Sequence, residues 1–457
     1  MTRSIACFAV AVILASPIKS RTHAGEPKIS SATESSEGGE LVVHEWGTFT
    51  TFSGSDGVFL DFRPLDANHN DLPNFVLDRG SYVKNPLQLL SKSRLRGRVR
   101  METPVTYFYT DRPRSVDVRV DFPDGLLTEF YPPVRELLPA IDEENIFDNG
   151  EIMGKSSLNW GTIDLIPTSE LVPNIKDAIV RESIATSIVN GLIPHASNEQ
   201  HYAAARETDA ALVHFRDNSD KPSYFEKFLF YRGVGKFQLP ISAQFEGNRA
   251  SLRNSSSLPI KAAILINVQG EEIQAMKIDA IKAGQSIPFS ELRTVSNDQL
   301  AQIVCECLMA EGLYEKEAAA MVATWQQSWF TENGMRVLYT VPGSITDELL
   351  PLHITPKPQQ MLRVLIGRME IMSPTSEQAM IKVVAHSVTS RARHYAVQNE
   401  SGTASPYDIP KGIRAFGRMA EPALARIACI AKDSSVRNEA ELLINDWIKV
   451  SGTVFRD

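Results

Sequence analysis

Cysteine is scarce: there are four residues in a chain of 457. Cys7 sits in an N-terminal apolar segment, which leaves Cys305, Cys307 and Cys429. An odd count permits one disulfide, from Cys429 to either of the others, with one thiol left over. Cys305 and Cys307 are two apart in a helical pattern, so they point away from each other and read as core thiols. A CxC pair with no further cysteine and no nearby histidine is a poor zinc set. Beyond the N-terminus no stretch of 18 apolar residues occurs, so the chain has no membrane-spanning helix signal. Excess positive charge is also missing: 47 Lys+Arg against 55 Asp+Glu give −8. That balance offers no general attraction to nucleic acid or to an anionic membrane surface. HExxH, GxSxG, the P-loop and GxGxxG are absent. Ordinary zincins, α/β-hydrolases, NTPases and dinucleotide enzymes therefore leave the front rank.

What is present reads as a folded chain. Hydrophobic residues make up 43% and charged residues 22%, which excludes disordered, collagen-like and low-complexity classes. The opening MTRSIACFAVAVILASPIKS has a positive start at Arg3 and an apolar run from Ile5 to Ala15. That run is shorter than the ~20 residues needed to cross a bilayer, but has the length of a signal-peptide core. Cleavage after Ala24 or Ala15 fits the small residues there. Cys7 lies inside the apolar core rather than after it, so lipidation is not indicated. The expectation is an exported protein, periplasmic or at the cell surface, with residues 1–24 as leader and 25–39 as a Ser/Gly/Glu-rich linker.

From Glu40 the pattern becomes short runs of Val, Thr, Tyr and Phe separated by Gly, Pro, Asp and Asn, the signature of strands and turns. LVVHEWGTFTTF, VRMETPVTYFYT, VDVRVDF and LNWGTIDLI belong to a β-rich body over 40–234, and 235–290 reads as a sandwich-like continuation. Ser296 is placed to cap a helix with Leu300, Ile303, Val304, Cys307 and Leu308 on one face, ended by Gly312. A second helix spans Tyr314 to Phe330, and two strands complete the 291–374 segment. Residues 375–457 read as helices. The fold class is α+β: antiparallel sheets in the N-terminal body, then an α-rich C-terminal part.

Four strings carry candidate chemistry. In VHEWGTFT read as a strand, Val42, His44 and Trp46 share one face and Glu45 the other. Unless Gly47 marks a bulge, His44 and Glu45 do not meet, and each reads either as a pocket group or as a hydrogen-bonded core residue. In HYAAARETDAALVHF a strand would align His201, Glu207 and Asp209, with the two carboxylates roughly 6.5–7 Å apart, a spacing used in glycoside hydrolysis. A helix, which the alanines favour, would separate them. Arg206 would then be an ion-paired neighbour or a substrate anchor. The run SKSRLRGRVR alternates Lys92, Arg94, Arg96, Arg98 and Arg100, either a row for an anionic polysaccharide or a charged edge strand. Glu102 follows, able to neutralise the run or to act as a general acid. DANHNDLP has calcium-loop spacing but lacks the glycine and the final glutamate; it and IDEENIFDNGE read as polar loops. No metal ligand set and no cofactor emerges.

VHEWGTFT, METPVTYFY, HYAAARETDAA, EKFLFYRGVG, TDELLPL and LRVLIGRMEIM together resemble an exported protein family of planctomycetes and related environmental bacteria that has no assigned activity. The resemblance runs from about Leu41 to Pro374. It implies export and unity of the chain, not a reaction. Three functions follow as expectations: a binder of a polysaccharide or peptide through the β-rich body; a carbohydrate-type hydrolase using Glu207 and Asp209 with Glu102, His44 and Arg206 in support; or an assembly protein docking through its C-terminal helices. The hydrolase reading requires His44, Glu102, Arg206, Glu207 and Asp209 to converge on one pocket.

Overall fold

The strand Leu41–Ser53 is buried over its full length, as its Val, Trp, Phe and Thr content favours for a strand covered on both faces. It lies near the middle of a ten-stranded sheet in the computed structural model of the protein. That model describes residues 39–63, 72–79, 95–139, 154–172, 177–197, 201–216, 223–246, 249–288, 292–401 and 405–451. The expected leader, nearly all of the expected linker, Lys92, Arg94 and the two polar loops around 66–71 and 141–151 lie outside the described residues.

Leu41–Ser53 pairs in parallel with Gln360–Ile371 on one side and antiparallel with Val99–Thr110 on the other. The sheet continues outward through Leu229–Gly235 and Gly125–Tyr131 on one flank. On the opposite flank it continues through Gly334–Val341, Ala263–Gln269 and Glu272–Ile278. One sheet thus draws strands from three of the segments separated on sequence grounds. The 235–290 stretch is divided between this sheet and a three-stranded one, Ile241–Glu246, Arg249–Asn254 and Ser286–Pro288. A six-stranded sheet includes Arg114–Phe122, Ser156–Ile166 and Leu212–Arg216.

Alternation along each strand sorts side chains between two cores. Val43 and Phe49 face the smaller sheets, packing with Val118, Trp160, Ile163 and Phe215. Trp46 faces the helices Asn297–Ala310 and Glu315–Phe330, packing with Leu300, Val304, Trp325 and Trp329. Ser296 caps the first of these helices and shares a capping box with Gln299. Gly312, at φ +110°, adopts the left-handed conformation that ends it. Gly47 does sit at a register shift between Trp46 and Thr48. A Cβ there would come 2.9 Å from Pro104 Cα, so the bulge admits only glycine without movement. A third core joins Phe52 and Met372 to the C-terminal helices Pro374–Ser401, Ala420–Ile430 and Ser434–Ser451. Strand is 38% and helix 34%, with helices mostly in the C-terminal part, which makes the protein α+β. None of the described helices is long and apolar enough to cross a membrane.

Candidate functional site

His44 and Glu45 lie on opposite faces of their strand, and each is held by a different partner. His44 Nδ1 is 2.8 Å from Glu317 Oε2, and Tyr109 OH donates to Glu317 Oε1 at 2.8 Å. Both His44 and Glu317 side chains are 0% exposed, so no edge of either is open to a ligand. The pair also closes the start of the Glu315–Phe330 helix, because Tyr314 N–H donates to Glu317 Oε2 at 2.8 Å. Burial first, then the Glu317 charge, pushes the Tyr109 phenol well above its ordinary pKa. Glu45 accepts from Arg363 Nε at 2.7 Å and Thr106 Oγ1 at 3.0 Å, and also from Tyr231 OH. Trp46 is fully buried in the helix-facing core. All three are parts of the frame.

Glu102 belongs to a buried ionic cluster, not to a cleft. Thr50 Oγ1 donates to it at 2.6 Å and Arg418 Nη1 at 3.2 Å. Arg418 continues to Glu332 at 2.8 Å, Glu332 to Arg368 at 3.0 Å, Arg368 to Glu370 at 2.6 Å, and Glu370 to Arg336 at 3.1 Å. Burial alone would raise the Glu102 pKa. Arg418, Arg100 and Arg368 outweigh it and hold the carboxyl well below the usual range. Such a group is ionised at neutral pH and carries no proton to donate as a general acid.

The basic run alternates as expected where it is described: Leu95, Gly97 and Val99 are buried, while Arg96 is exposed and Arg98 and Arg100 are half-buried. Its charge is compensated locally. Arg98 Nε lies 2.9 Å from Asp61, Arg100 Nε lies 3.7 Å from Glu102, and Arg96 acts on the Glu421 carboxyl.

Arg206, Glu207 and Asp209 do come together, on a cleft of about 800 Å³. Neither the strand nor the helix that this string suggests extends through Glu207 and Asp209. His201–Ala204 is a single helical turn, and the strand Leu212–Arg216 starts later. Buried Ala205, Thr208 and Ala210 anchor the connection between them, and Glu207 and Asp209 are left exposed on it. The opposite wall is the helix Ala178–Leu192, capped by Asp177, with Arg181, Glu182, Ala185, Thr186, Val189 and Asn190 on the cleft. Lys227 and Lys316 complete the lining.

Two ion pairs and a lysine–carbonyl hydrogen bond set the electrostatics. Arg206 forms a two-pronged pair with buried Glu226, at 3.0 and 2.6 Å, and Tyr202 OH donates to the same carboxylate at 3.1 Å. Asp209 is held by Lys316 Nζ at 2.6 Å, a bond that raises the Lys316 pKa. Lys227 Nζ donates to the Thr208 carbonyl at 2.6 Å. Among the described residues, Arg181, Glu182 and Glu207 make no salt bridge. The same helix exposes Ile179 by 81%, Val180 by 47%, Ile184 by 37% and Leu192 by 40%, none of which lines the cleft.

The five residues that the hydrolase reading needs at one pocket therefore separate. His44 and Glu102 lie inside two buried networks, and Asp209 is engaged by a lysine. Sequence reading did not find Glu317, Arg363, Glu332, Arg368, Glu370 or Arg418 as partners. Nor did it find the helix Ala178–Leu192, Lys227 or Lys316 as cleft walls. The arginines and the glutamate within MLRVLIGRMEIM did carry a signal, since a charge inside an apolar strand requires a buried partner. Cys305, Cys307 and Cys429 are all free thiols, so the permitted disulfide does not form. Among the described residues no cluster of three or more His, Cys, Asp or Glu side chains could hold a metal ion.

No family model matches the chain, and no curated protein matches it. Among solved structures, the chain is similar to a yeast delta-COP-I mu-homology domain complexed with a Dsl1 WxWxV peptide. The match has 8% identity and a TM-score of 0.21, and covers 73% of this chain and 96% of that one. A superposition that loose carries no argument about this protein.

Proposed function

We propose that the protein is a binding protein that takes a peptide segment into the cleft between the helix Ala178–Leu192 and residues 203–209, and that it does so after export. The observation that carries the reading is one concavity whose lining combines charges of both signs, free of salt bridges among the described residues, with small apolar side chains. Arg181, Glu182 and Glu207 line the cleft without salt bridges among the described residues, and Ala178, Ala185, Val189 and Ile193 give the lining its apolar part. Peptides supply groups of both kinds, and apolar anchors beside oriented charges are the usual composition of a recognition site. The leader-like N-terminus supports an extracytoplasmic setting. A polysaccharide ligand is less well matched, because Arg98 and Arg100 of the basic run already face Asp61 and Glu102 of the same chain.

The test is a synthetic peptide array probed with the purified full chain, with Arg181→Ala and Glu207→Gln compared against the parent. The expected result is a subset of peptides whose capture falls in both variants. Capture of the same peptides at the same strength by both variants refutes the cleft as the site.

A further inference from the structure

Lys227 differs from Arg206 and Lys316 on the same cleft. Arg206 is committed to Glu226, and Lys316 to Asp209. Among the described residues no carboxylate oxygen lies within salt-bridge distance of Lys227 Nζ, whose one hydrogen bond goes to a neutral backbone carbonyl, that of Thr208. The residue is half-buried, yet it lines the cleft. Its nearest acids are largely spoken for: Glu226 by Arg206 and Tyr202, Asp209 by Lys316. Glu207, the third, keeps a carboxylate with no salt bridge among the described residues, as does Glu182 on the helix wall. Burial pushes the Lys227 ammonium pKa down, with Lys316 acting the same way, against the opposite pull of Asp209, Glu207 and Glu226. A desolvated lysine without a counter-ion is the arrangement that exposes a neutral amine nucleophile.

We propose that Lys227 is an imine-forming lysine for small carbonyl compounds that carry a carboxylate. The inference rests on the cleft being the ligand site and adds a chemical class to it. The Lys227 nitrogen lone pair forms a C–N bond to the carbonyl carbon, and the carbonyl oxygen takes up a proton. The resulting carbinolamine loses water as the C=N bond forms. No oxidant or reductant is required. Arg181, a guanidinium on the same cleft with no salt bridge among the described residues, matches the carboxylate of such a ligand. Glu207 is a cleft carboxylate available to move the proton.

The probe is glyoxylate, an aldehyde bearing a carboxylate, applied to the full chain at neutral pH with cyanoborohydride to reduce any imine to a secondary amine. Modified lysines are then located by peptide mass mapping over a time course. Lys261 and Lys449, at 71% and 77% side-chain exposure, are internal references. The expected result is modification of Lys227 faster than either reference, since a lowered ammonium pKa raises the neutral amine fraction at neutral pH. Arg181→Ala slows Lys227 selectively, while Lys227→Arg abolishes the fast site and leaves the references unchanged. Modification of Lys227 no faster than Lys261 overturns the proposal. The rates are compared within one folded wild-type chain, so they do not depend on a variant folding. Peptide capture that survives such a result leaves the cleft standing and removes only its chemistry, whereas fast Lys227 labelling without peptide capture does the reverse.

Discussion

Glu45 and Arg363 face each other across two parallel strands, and their side chains close the same pairing: Arg363 Nη2 lies 2.6 Å from Glu45 Oε2. The relationship recurs between Arg336 and Glu370, which are register partners on antiparallel neighbours and bond at 3.1 Å. Strand register thus places charges opposite one another in the sheet interior, where a one-residue slip would bury each without its counter-charge. Leu41–Ser53 and Gln360–Ile371 are more than 300 residues apart in sequence, and the pair Glu45–Arg363 specifies how they align.

The first prediction concerns that pair. Arg363→Met leaves Glu45 with Thr106 and Tyr231 but no cation, and breaking a buried pair on one side costs roughly 3–5 kcal/mol. Adding Glu45→Leu removes the stranded charge and should recover part of that loss. Urea unfolding of the two single variants and the double variant measures it. Strictly additive losses would show that the two side chains do not couple.

Lys316 and Asp209 form an equally short bond at 2.6 Å, but with side chains 54% and 68% exposed. An exposed ion pair contributes about 0–1 kcal/mol. Lys316→Met should therefore change stability by less than about 1 kcal/mol, while freeing the Asp209 carboxylate at the cleft. A melting curve checks the first part. The peptide array checks the second, through a shift of the captured set toward more basic peptides.

How much of this was legible follows from which interactions are local. The strand alternation through His44, Glu45 and Trp46, the Gly47 bulge, the Ser296 cap and the Gly312 stop are each specified within a few residues, and each could be read. The partners Glu317 and Arg363 lie hundreds of residues away and cannot be found by periodicity. The helix Ala178–Leu192 was hidden for another reason. Its Ile and Val content imitates a strand, and only Ala185 and Val189 are buried, so the helical stripe that packing normally imposes is weak. For Glu207 and Asp209, two regular readings competed, and buried Ala205, Thr208 and Ala210 imposed an irregular connection instead.

Gly47→Ala should be more costly than its size suggests. Its Cβ would meet Pro104 Cα at 2.9 Å and Pro104 Cγ at 3.1 Å, in a strand buried on both faces. Backbone has to move at the bulge, and overpacking of this kind costs about 1–3 kcal/mol. Gly270→Ala is a control without contacts, since nothing lies within 4 Å of its added Cβ, although its φ of +62° carries a backbone penalty of its own. Thermal unfolding of the two variants separates a steric clash from conformational strain. A Gly47→Ala loss no larger than that of Gly270→Ala would place the cost in the backbone.

Acid should loosen the attachment of the C-terminal helices before it unfolds a frame built on apolar packing. Glu102, Glu332 and Glu370 are all held below their ordinary pKa. Burial opposes this in each case, and the arginines outweigh it: Arg418, Arg100 and Arg368 at Glu102; Arg418 and Arg368 at Glu332; Arg336, Arg368 and Arg418 at Glu370. A carboxyl with a folded pKa below its unfolded value binds fewer protons when folded, so its stabilisation is present above the unfolded value and is lost as pH falls toward the folded one. The unfolded value is near 4.5, so stability should hold from neutral pH down to about that point and then decline with increasing slope. Arg418 connects Glu102 with Glu332 from the short turn Gly417–Met419 ahead of the helix Ala420–Ile430, so the helices past Pro374 are the elements released first. Glu102→Gln should lower stability at neutral pH by about 3 kcal/mol or more and flatten the decline below pH 4.5, because one of the three linked protonations is gone. Urea unfolding at a series of pH values, with hydrogen exchange read separately over residues 405–451 and 41–53, measures both effects. An acid slope identical in Glu102→Gln and the parent would remove this carboxylate from the linkage.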